Sequence, residues 1–517
     1  AAVRQVVRPS APPRVPARDA AGSAPHFLVN AFHKDLMTAG QQQQPSAIFS
    51  CLWRYADRFQ PTDMDLDAAL NALAKCTREP QLEPIVVAEA DTHRLLNYVE
   101  ENVKNYQSVD DIEGDATRRL INLAWALATL MQWQPLLHHQ VHGRLVFLFK
   151  RVKDLASGLL DLCAPAHLAI FAWAIARANL EGGDSELLRH VGDVALKTCA
   201  QTRMSSRWEA VDMSRLIWAF GTLQVEHPVV QKVRLAVRQE GKCNVVHFDE
   251  QDLSTFAWGL ARLRVRDTEL MQDLAMEAER KMSELTTQGM ACTLWSYATL
   301  RLPTPFLYKA LDRIRSTSLR MEPRDCSVIL WSFATLRHDR QRELLYYHLA
   351  DAVILPLASK FQAQDISNCL WAFSTARVEH QRVFKALVAQ SKGEVKNFTE
   401  QALANATWAC AKMSAEASTM VELATHEALQ RSMQSWSPQA MVTLCWSSAE
   451  AQVAPVQLLI PVAEELKQRP QAFNDLDLAS LVYALKENLW PAEHAELRRA
   501  VLRCVKEEIS RRHLPAT

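Results

Sequence analysis

Four arginines in near-constant register are the residues best placed to do chemistry. Arg264, Arg301, Arg337 and Arg377 stand 37, 36 and 40 residues apart. A guanidinium bonds two phosphate oxygens through its planar fork. One arginine per stacked helical unit would therefore meet a phosphate roughly every 10 Å, near the helix-packing distance. A second reading is local: a cation at a helix C-terminus is favoured by the helix dipole by about 0.3–1 kcal/mol. Both readings require a helix that ends just before each arginine.

The helices are legible. Each arginine follows an anchor aromatic by six residues, and the anchors run Trp125, Trp173, Trp218, Trp258, Trp295, Trp331, Trp371, Trp408, Trp446 and Tyr483. The last seven steps are 40, 37, 36, 40, 37, 38 and 37 residues. Trp53, in CLWRYADRF, lies 72 residues before Trp125 and reads as an earlier copy. A period in this range marks units that cannot bury their own apolar faces and must stack on their neighbours.

Ten residues before the anchor sits a large apolar residue (Phe248, Phe361, Phe398, Trp436, Phe473), followed by a capping type (Asp249, Thr399, Ser437, Asn474). An aspartate recurs three residues after the cap (Asp252, Asp325, Asp365, Asp477), and Pro323 and Pro438 occupy first helical positions. This is an N-cap, an acidic first turn and a hydrophobic staple. The aspartates are accounted for by capping, with no need of catalysis. Second helices follow at Thr268–Met282 and Pro305–Ser316, each with one apolar face at helical spacing.

The phrases QALANATWACAKM, QDISNCLWAFSTA and RLINLAWALATL resemble the octotricopeptide repeat and its relative the heptatricopeptide repeat. The resemblance covers about Asp115 to Trp490, plus the unit near Trp53. It implies an all-α solenoid superhelix and RNA as the ligand, in mitochondria or plastids. The nuclease-like RAP domain that many such proteins carry is not found in this sequence. The expected fold is thus an α-solenoid of about 10–11 two-helix repeats of roughly 38 residues. Residues 1–25 read as a basic Pro-rich tail, 26–116 as an irregular helical region with one divergent repeat, 117–490 as the array, and 491–517 as a basic capping helix.

With the anchor as zero, positions −2, −1, 0, +2 and +5 are mostly apolar and are assigned to the core, as in Phe256, Ala257, Trp258, Leu260 and Leu263. Position +1 is small and is assigned to close helix packing. Positions −3 (Asn122, Arg215, Thr255, Asn368, Asn405) and +4 (Arg262, Thr299, Thr335, Thr375) are mostly polar. They are expected to form a binding stripe, by the logic of repeats that each read about one base. With Arg264, Arg301, Arg337 and Arg377 they make up the candidate RNA site.

Composition restrains this reading. Lys plus Arg and Asp plus Glu both number 58, for a net charge of zero, whereas nucleic-acid-binding domains are usually basic. The arginine row, the polar stripe and the resemblance favour single-stranded RNA or an rRNA segment as the partner, with a ribosomal subunit as one expectation, whereas the zero net charge favours a scaffold. The alternative is a protein scaffold in a large organellar ribonucleoprotein or membrane complex. The tail AAVRQVVRPSAPPRVPARDAAGSAP is basic and acid-poor; it fits the flank of an organelle transit peptide or a solvated tail. No apolar run reaches a membrane span. The eleven cysteines show no C-x-x-C pair and several recur inside repeat helices, as small core residues of a reducing compartment. No phosphate-binding glycine loop, G-x-S-x-G or H-E-x-x-H is present, and His138, His139 and His142 lack a third ligand. No enzyme activity, metal or cofactor is expected.

Overall fold

The structure is a computed structural model of the 517-residue chain. It describes residues 26–41, 44–57, 59, 63–76, 89–104, 116–132, 139–180, 184–201, 208–239, 241–316, 321–337, 342–431, 436–453, 456–486 and 492–512. Among these, all regular elements are helices. The chain divides into two compact units, Ala1–Lys232 and Val233–Thr517.

In the first unit the helices are α1 (His26–Gln41), α2 (Pro45–Ala56), α3 (Asp63–Lys75), α4 (Glu89–Lys104), α5 (Ala116–Leu130), α6 (His139–Ser157), α7 (Pro165–Ala178), α8 (Asp184–Gln201) and α9 (Ala210–Leu223). Helices α3, α5, α7 and α9 pack side by side in sequence. Helix α10 (Pro228–Ala236) carries the chain across the division.

The second unit alternates two kinds of helix. First helices are α11 (Glu250–Arg262), α13 (Thr287–Leu300), α15 (Pro323–Thr335), α17 (Ala363–Ala376), α19 (Glu400–Lys412), α21 (Pro438–Glu450) and α23 (Asp475–Ala484). Second helices are α12 (Thr268–Arg280), α14 (Phe306–Ser316), α16 (Arg342–Leu349), α18 (Gln381–Glu394), α20 (Ala417–Gln430), α22 (Val456–Gln468) and α24 (Ala495–Arg511). Each first helix packs on the next first helix, and the second helices form a row behind them. This two-row stack is an α-solenoid. Helix α16 runs on through a π turn, Ala350–Ile354, into Leu355–Leu357; Pro356 lacks the N–H that a regular turn needs.

The capping signals act as read. Asp249, Thr399, Ser437 and Asn474 are N-caps whose side chains accept from the backbone N–H three residues on. Asp252, Asp365 and Asp477 close the box from the other side. The staples Phe248, Phe361, Phe398, Trp436 and Phe473 are buried, each contributing about 1.5–3 kcal/mol. The aspartates also link repeats: Thr287 donates to Asp325 (3.0 Å) and Ser327 to Asp365 (3.1 Å), each pair 38 residues apart.

A second device has no counterpart in the sequence reading. At the end of α20, Arg431 donates to Glu427 (2.8 Å), to the Phe398 carbonyl (2.7 Å) and to the Val395 carbonyl (3.0 Å). Arg512 does the same with Glu508 (2.8 Å), Phe473 (2.9 Å) and Pro470 (2.6 Å). Lys281, paired with Glu277, bonds the Phe248 carbonyl. Each cation ties the end of a second helix to the staple that opens the same repeat.

The last helix shows both uses of a basic residue. Its basic residues do not all face outward: Arg512 is a clamp, and Arg498 is buried on the Leu485 carbonyl (3.0 Å). Arg499, Arg503, Lys506 and Arg511 form the exposed face. The basic tail lies outside the described residues. Cys326, Cys369, Cys410 and Cys445 are buried free thiols, and burial pushes Cys445 up to about 12.

Candidate nucleic-acid interface

One stripe of each first helix stays partly open. Phe256, Ala257 and Leu260, at −2, −1 and +2, are buried as expected. Trp258, assigned with them to the core, is only half-buried, and so are Trp125, Trp173, Trp218, Trp295, Trp331, Trp371, Trp408, Trp446 and Tyr483. The reason is size at a seam. First helices pack closely through the small +1 residues, such as Ser296, Ser332, Ala372 and Ala409, all fully buried, and this leaves an indole no room between them. The indoles lie along the seam and meet their neighbours instead.

They form ladders within each unit. Ring centroids are 6.2 Å apart for Trp125–Trp173 and 5.7 Å for Trp173–Trp218 in the first unit. In the second they are 6.2 Å for Trp258–Trp295, 6.3 Å for Trp331–Trp371 and 6.2 Å for Trp446–Tyr483. Neighbouring rings are inclined to one another by 28° to 36°.

The sequence-predicted positions flank this ladder. At −3, Asn122, Arg215, Thr255, Asn368 and Asn405 are half-buried. Arg215 is engaged within the fold and helps draw the Asp212 carboxyl down against the burial that raises it. At +4, Thr335 spends its hydroxyl on the Trp331 carbonyl (2.8 Å). The hydroxyls of Thr299 and Thr375 are buried without a partner among the described residues. The Arg262 guanidinium lies 5.6 Å from the Trp258 ring centroid, and Arg177 repeats this over Trp173 at 5.6 Å, both within cation–π reach.

A fourth row went unread in the sequence. One turn before −3, position −7 holds exposed Gln251, Gln288, Arg324, Gln364, Gln401 and Gln439. The signal was present as a glutamine recurring seven residues before the anchor, but it sits among capping residues and is absorbed into the helix start. The open stripe is therefore −7, −3, 0 and +4: amides, hydroxyls and a half-buried indole, mostly neutral, in keeping with the zero net charge.

Charge enters at +6. Arg264, Arg301, Arg337 and Arg377 are exposed, and no ion pair or hydrogen bond holds their guanidinium groups among the described residues. Their backbone is left-handed, with φ of 55°, 53°, 51° and 56°. Equivalent Asn179, Gln224, Ser414 and Gln452 share it, at 44°, 53°, 50° and 57°. The turn that ends each first helix is thus built the same way in eight repeats, and none of the eight uses glycine, the residue for which this conformation is free of strain.

The sequence profile of the RNA-editing substrate-binding complex 6 protein family matches residues 138–488. This chain belongs to that family. It is therefore a helical-repeat protein of an RNA-associated family, and the match concerns RNA editing, with no bearing on ribosomes. Comparison with curated proteins gives no match. Among solved structures, the maize pentatricopeptide repeat protein PPR10 is 11% identical, covering 94% of this chain and 74% of its own, with a TM-score of 0.28. A homology model of the AP-3 complex is 10% identical over 93% of this chain and 87% of that one, with a TM-score of 0.22. A circular tandem repeat protein is 14% identical over 94% and 98%, with a TM-score of 0.18. At such TM-scores the architecture rests on the helix rows of this chain itself.

Proposed function

We propose that the chain is a non-catalytic RNA-binding protein that holds single-stranded substrate RNA, with protein partners, in an RNA-editing complex. Residues 117–490 are the RNA-holding array. The strand runs along the first-helix stripe in the manner of octotricopeptide-like repeats, its bases toward the −7, −3 and indole positions and its phosphates toward the +6 arginines. The observation that carries this reading is the arginine row. Four successive repeats place a long cation with no partner among the described residues on the left-handed turn that Asn, Gln or Ser serves in the other repeats. The side chain is retained for something other than the turn. The family's tie to RNA editing supports the mitochondrion as the compartment, since such complexes are mitochondrial in some organisms.

A protein scaffold is the second reading, favoured by the exposed apolar residues Met276, Leu344, Leu429 and Ile460 on second helices. One pair of substitutions separates the two. Arg301→Asn with Arg337→Asn weakens single-stranded RNA binding and leaves co-purifying proteins in place if the first reading holds. Unchanged RNA affinity refutes it.

A further inference from the structure

We propose that the repeats anchored at Trp371 and Trp408 read the same base, through matched glutamine–asparagine pairs, and that base selectivity is concentrated in these two neighbours. The inference rests on the first-helix stripe being the RNA groove. In α17, Gln364 at −7 donates its amide to Asn368 at −3, 2.9 Å away. In α19, Gln401 donates to Asn405 in the same positions, also at 2.9 Å. Both glutamines are exposed and both asparagines half-buried. The buried Ser367 hydroxyl donates to the Ala402 carbonyl (2.8 Å) and fixes the register of one helix on the other.

The pairing decides which groups remain free. Each glutamine keeps its carbonyl oxygen and one N–H, and each asparagine keeps its whole amino group. A carbonyl and amino groups on a short arc can bond a base that offers an adjacent donor and acceptor. Because one amide holds the other, little rotamer freedom is lost on binding. Identical pairs on identical helix positions present identical patterns, so the two rungs select one base twice.

Among the described residues no other repeat of this unit pairs a −7 glutamine with a −3 asparagine; Thr255 and Ser480 hold −3 in the repeats of Trp258 and Tyr483. Cys292 and Val328 hold −3 in the repeats of Trp295 and Trp331 and have no strong hydrogen-bonding group to offer. Thr443 holds it in the repeat of Trp446 but spends its hydroxyl on the Gln439 carbonyl (2.7 Å). These rungs touch a strand without choosing its base.

The test is selection from a randomised single-stranded RNA pool with the full chain, followed by sequencing of the retained RNA. Wild type is expected to enrich one dinucleotide of two like bases, each favoured by about 5- to 150-fold, in otherwise degenerate sequence. Asn368→Val or Asn405→Val, which copy Val328, should each shorten the motif to one base, and both together should erase it while bulk RNA is still retained. If a valine variant fails to fold, Asn368→Thr and Asn405→Thr, which copy Thr443, give the same readout. A motif of two unlike bases, or one that survives the double variant, overturns the inference and leaves the proposed function standing. Failure of wild type to retain any RNA overturns both.

Discussion

Cations stand at the ends of both kinds of helix, and the two sets differ in every physical respect. At the ends of second helices, Arg431, Arg512 and Lys281 are largely covered, paired with a glutamate four residues back and spent on carbonyls of the same repeat. At the ends of first helices, Arg264, Arg301, Arg337 and Arg377 are exposed, unspent among the described residues and seated on a left-handed backbone. A helix dipole favours a cation in either place, so the dipole does not explain the contrast. The first set closes the fold. The guanidinium groups of the second are held by no ion pair or hydrogen bond among the described residues, and the proposed function gives them a use outside the chain.

The largest effect expected from this contrast is at a clamp. Arg431→Met leaves the Glu427 carboxylate buried without its cation and removes the donors from three carbonyls, those of Val395, Lys396 and Phe398, which should cost about 3–5 kcal/mol. Urea unfolding gives the sum, and hydrogen exchange should place the loss at the start of α19 and the end of α20. The matching change at +6 should do the reverse. Arg301→Asn with Arg337→Asn should leave the thermal midpoint level or raise it, since Asn tolerates the left-handed region. RNA affinity should fall about tenfold or more at low salt. The slope of log affinity against log salt should flatten by roughly 1.4, about 0.7 for each single-strand phosphate that no longer meets a guanidinium. A fall in the midpoint with no change in RNA binding would erase the distinction between the two sets.

Smaller effects sharpen it. Thr399→Ala removes a first-helix cap and should cost about 1 kcal/mol without touching RNA affinity. The smallest effect is in pH dependence and has opposite signs in the two rows. Burial raises the carboxyls of Asp325 and Asp365 at first-helix starts. Their folded state binds the proton more tightly than the unfolded chain, so wild type should lose stability relative to Asp325→Asn with Asp365→Asn as pH rises from about 3.9 through the folded values. The hydrogen bond from Arg280, working against burial, holds Glu277 at the end of α12 below its usual range. Its contribution is complete above the unfolded value and is lost as pH falls through the depressed one, so Glu277→Gln should show the opposite trend. Urea midpoints between about pH 3 and 7 check both signs.

The fold was legible because its signals are local and repeated. The caps Asp249, Thr399, Ser437 and Asn474, the staples before them and the period of the anchors need only neighbours in sequence to be interpreted. The clamps were not legible, because Arg431 reaches carbonyls of residues 33 and 36 positions away, and a lone arginine at a helix end looks like a solvated one. The tryptophans misled for a physical reason. Their apolar bulk suggests a core position, while the small +1 residues that bring helices together leave the rings only the open seam. Asn368 and Asn405 were legible as polar exceptions on an apolar helix, whereas their partners Gln364 and Gln401 were hidden in the capping turn. The left-handed backbone under Arg264, Arg301, Arg337 and Arg377 has no marker in sequence, because the usual glycine is missing.

Ultraviolet crosslinking of the native protein, followed by mass spectrometry of nucleotide-bearing peptides, tests the central claim most directly. Crosslinks on successive first helices of the second unit, at or next to Trp295, Trp331, Trp371 and the turns at Arg301, Arg337 and Arg377, are the predicted result. Crosslinks confined to the exposed face of α24 around Arg499, Arg503 and Lys506, or stable co-purifying proteins with no crosslinked RNA, would contradict it.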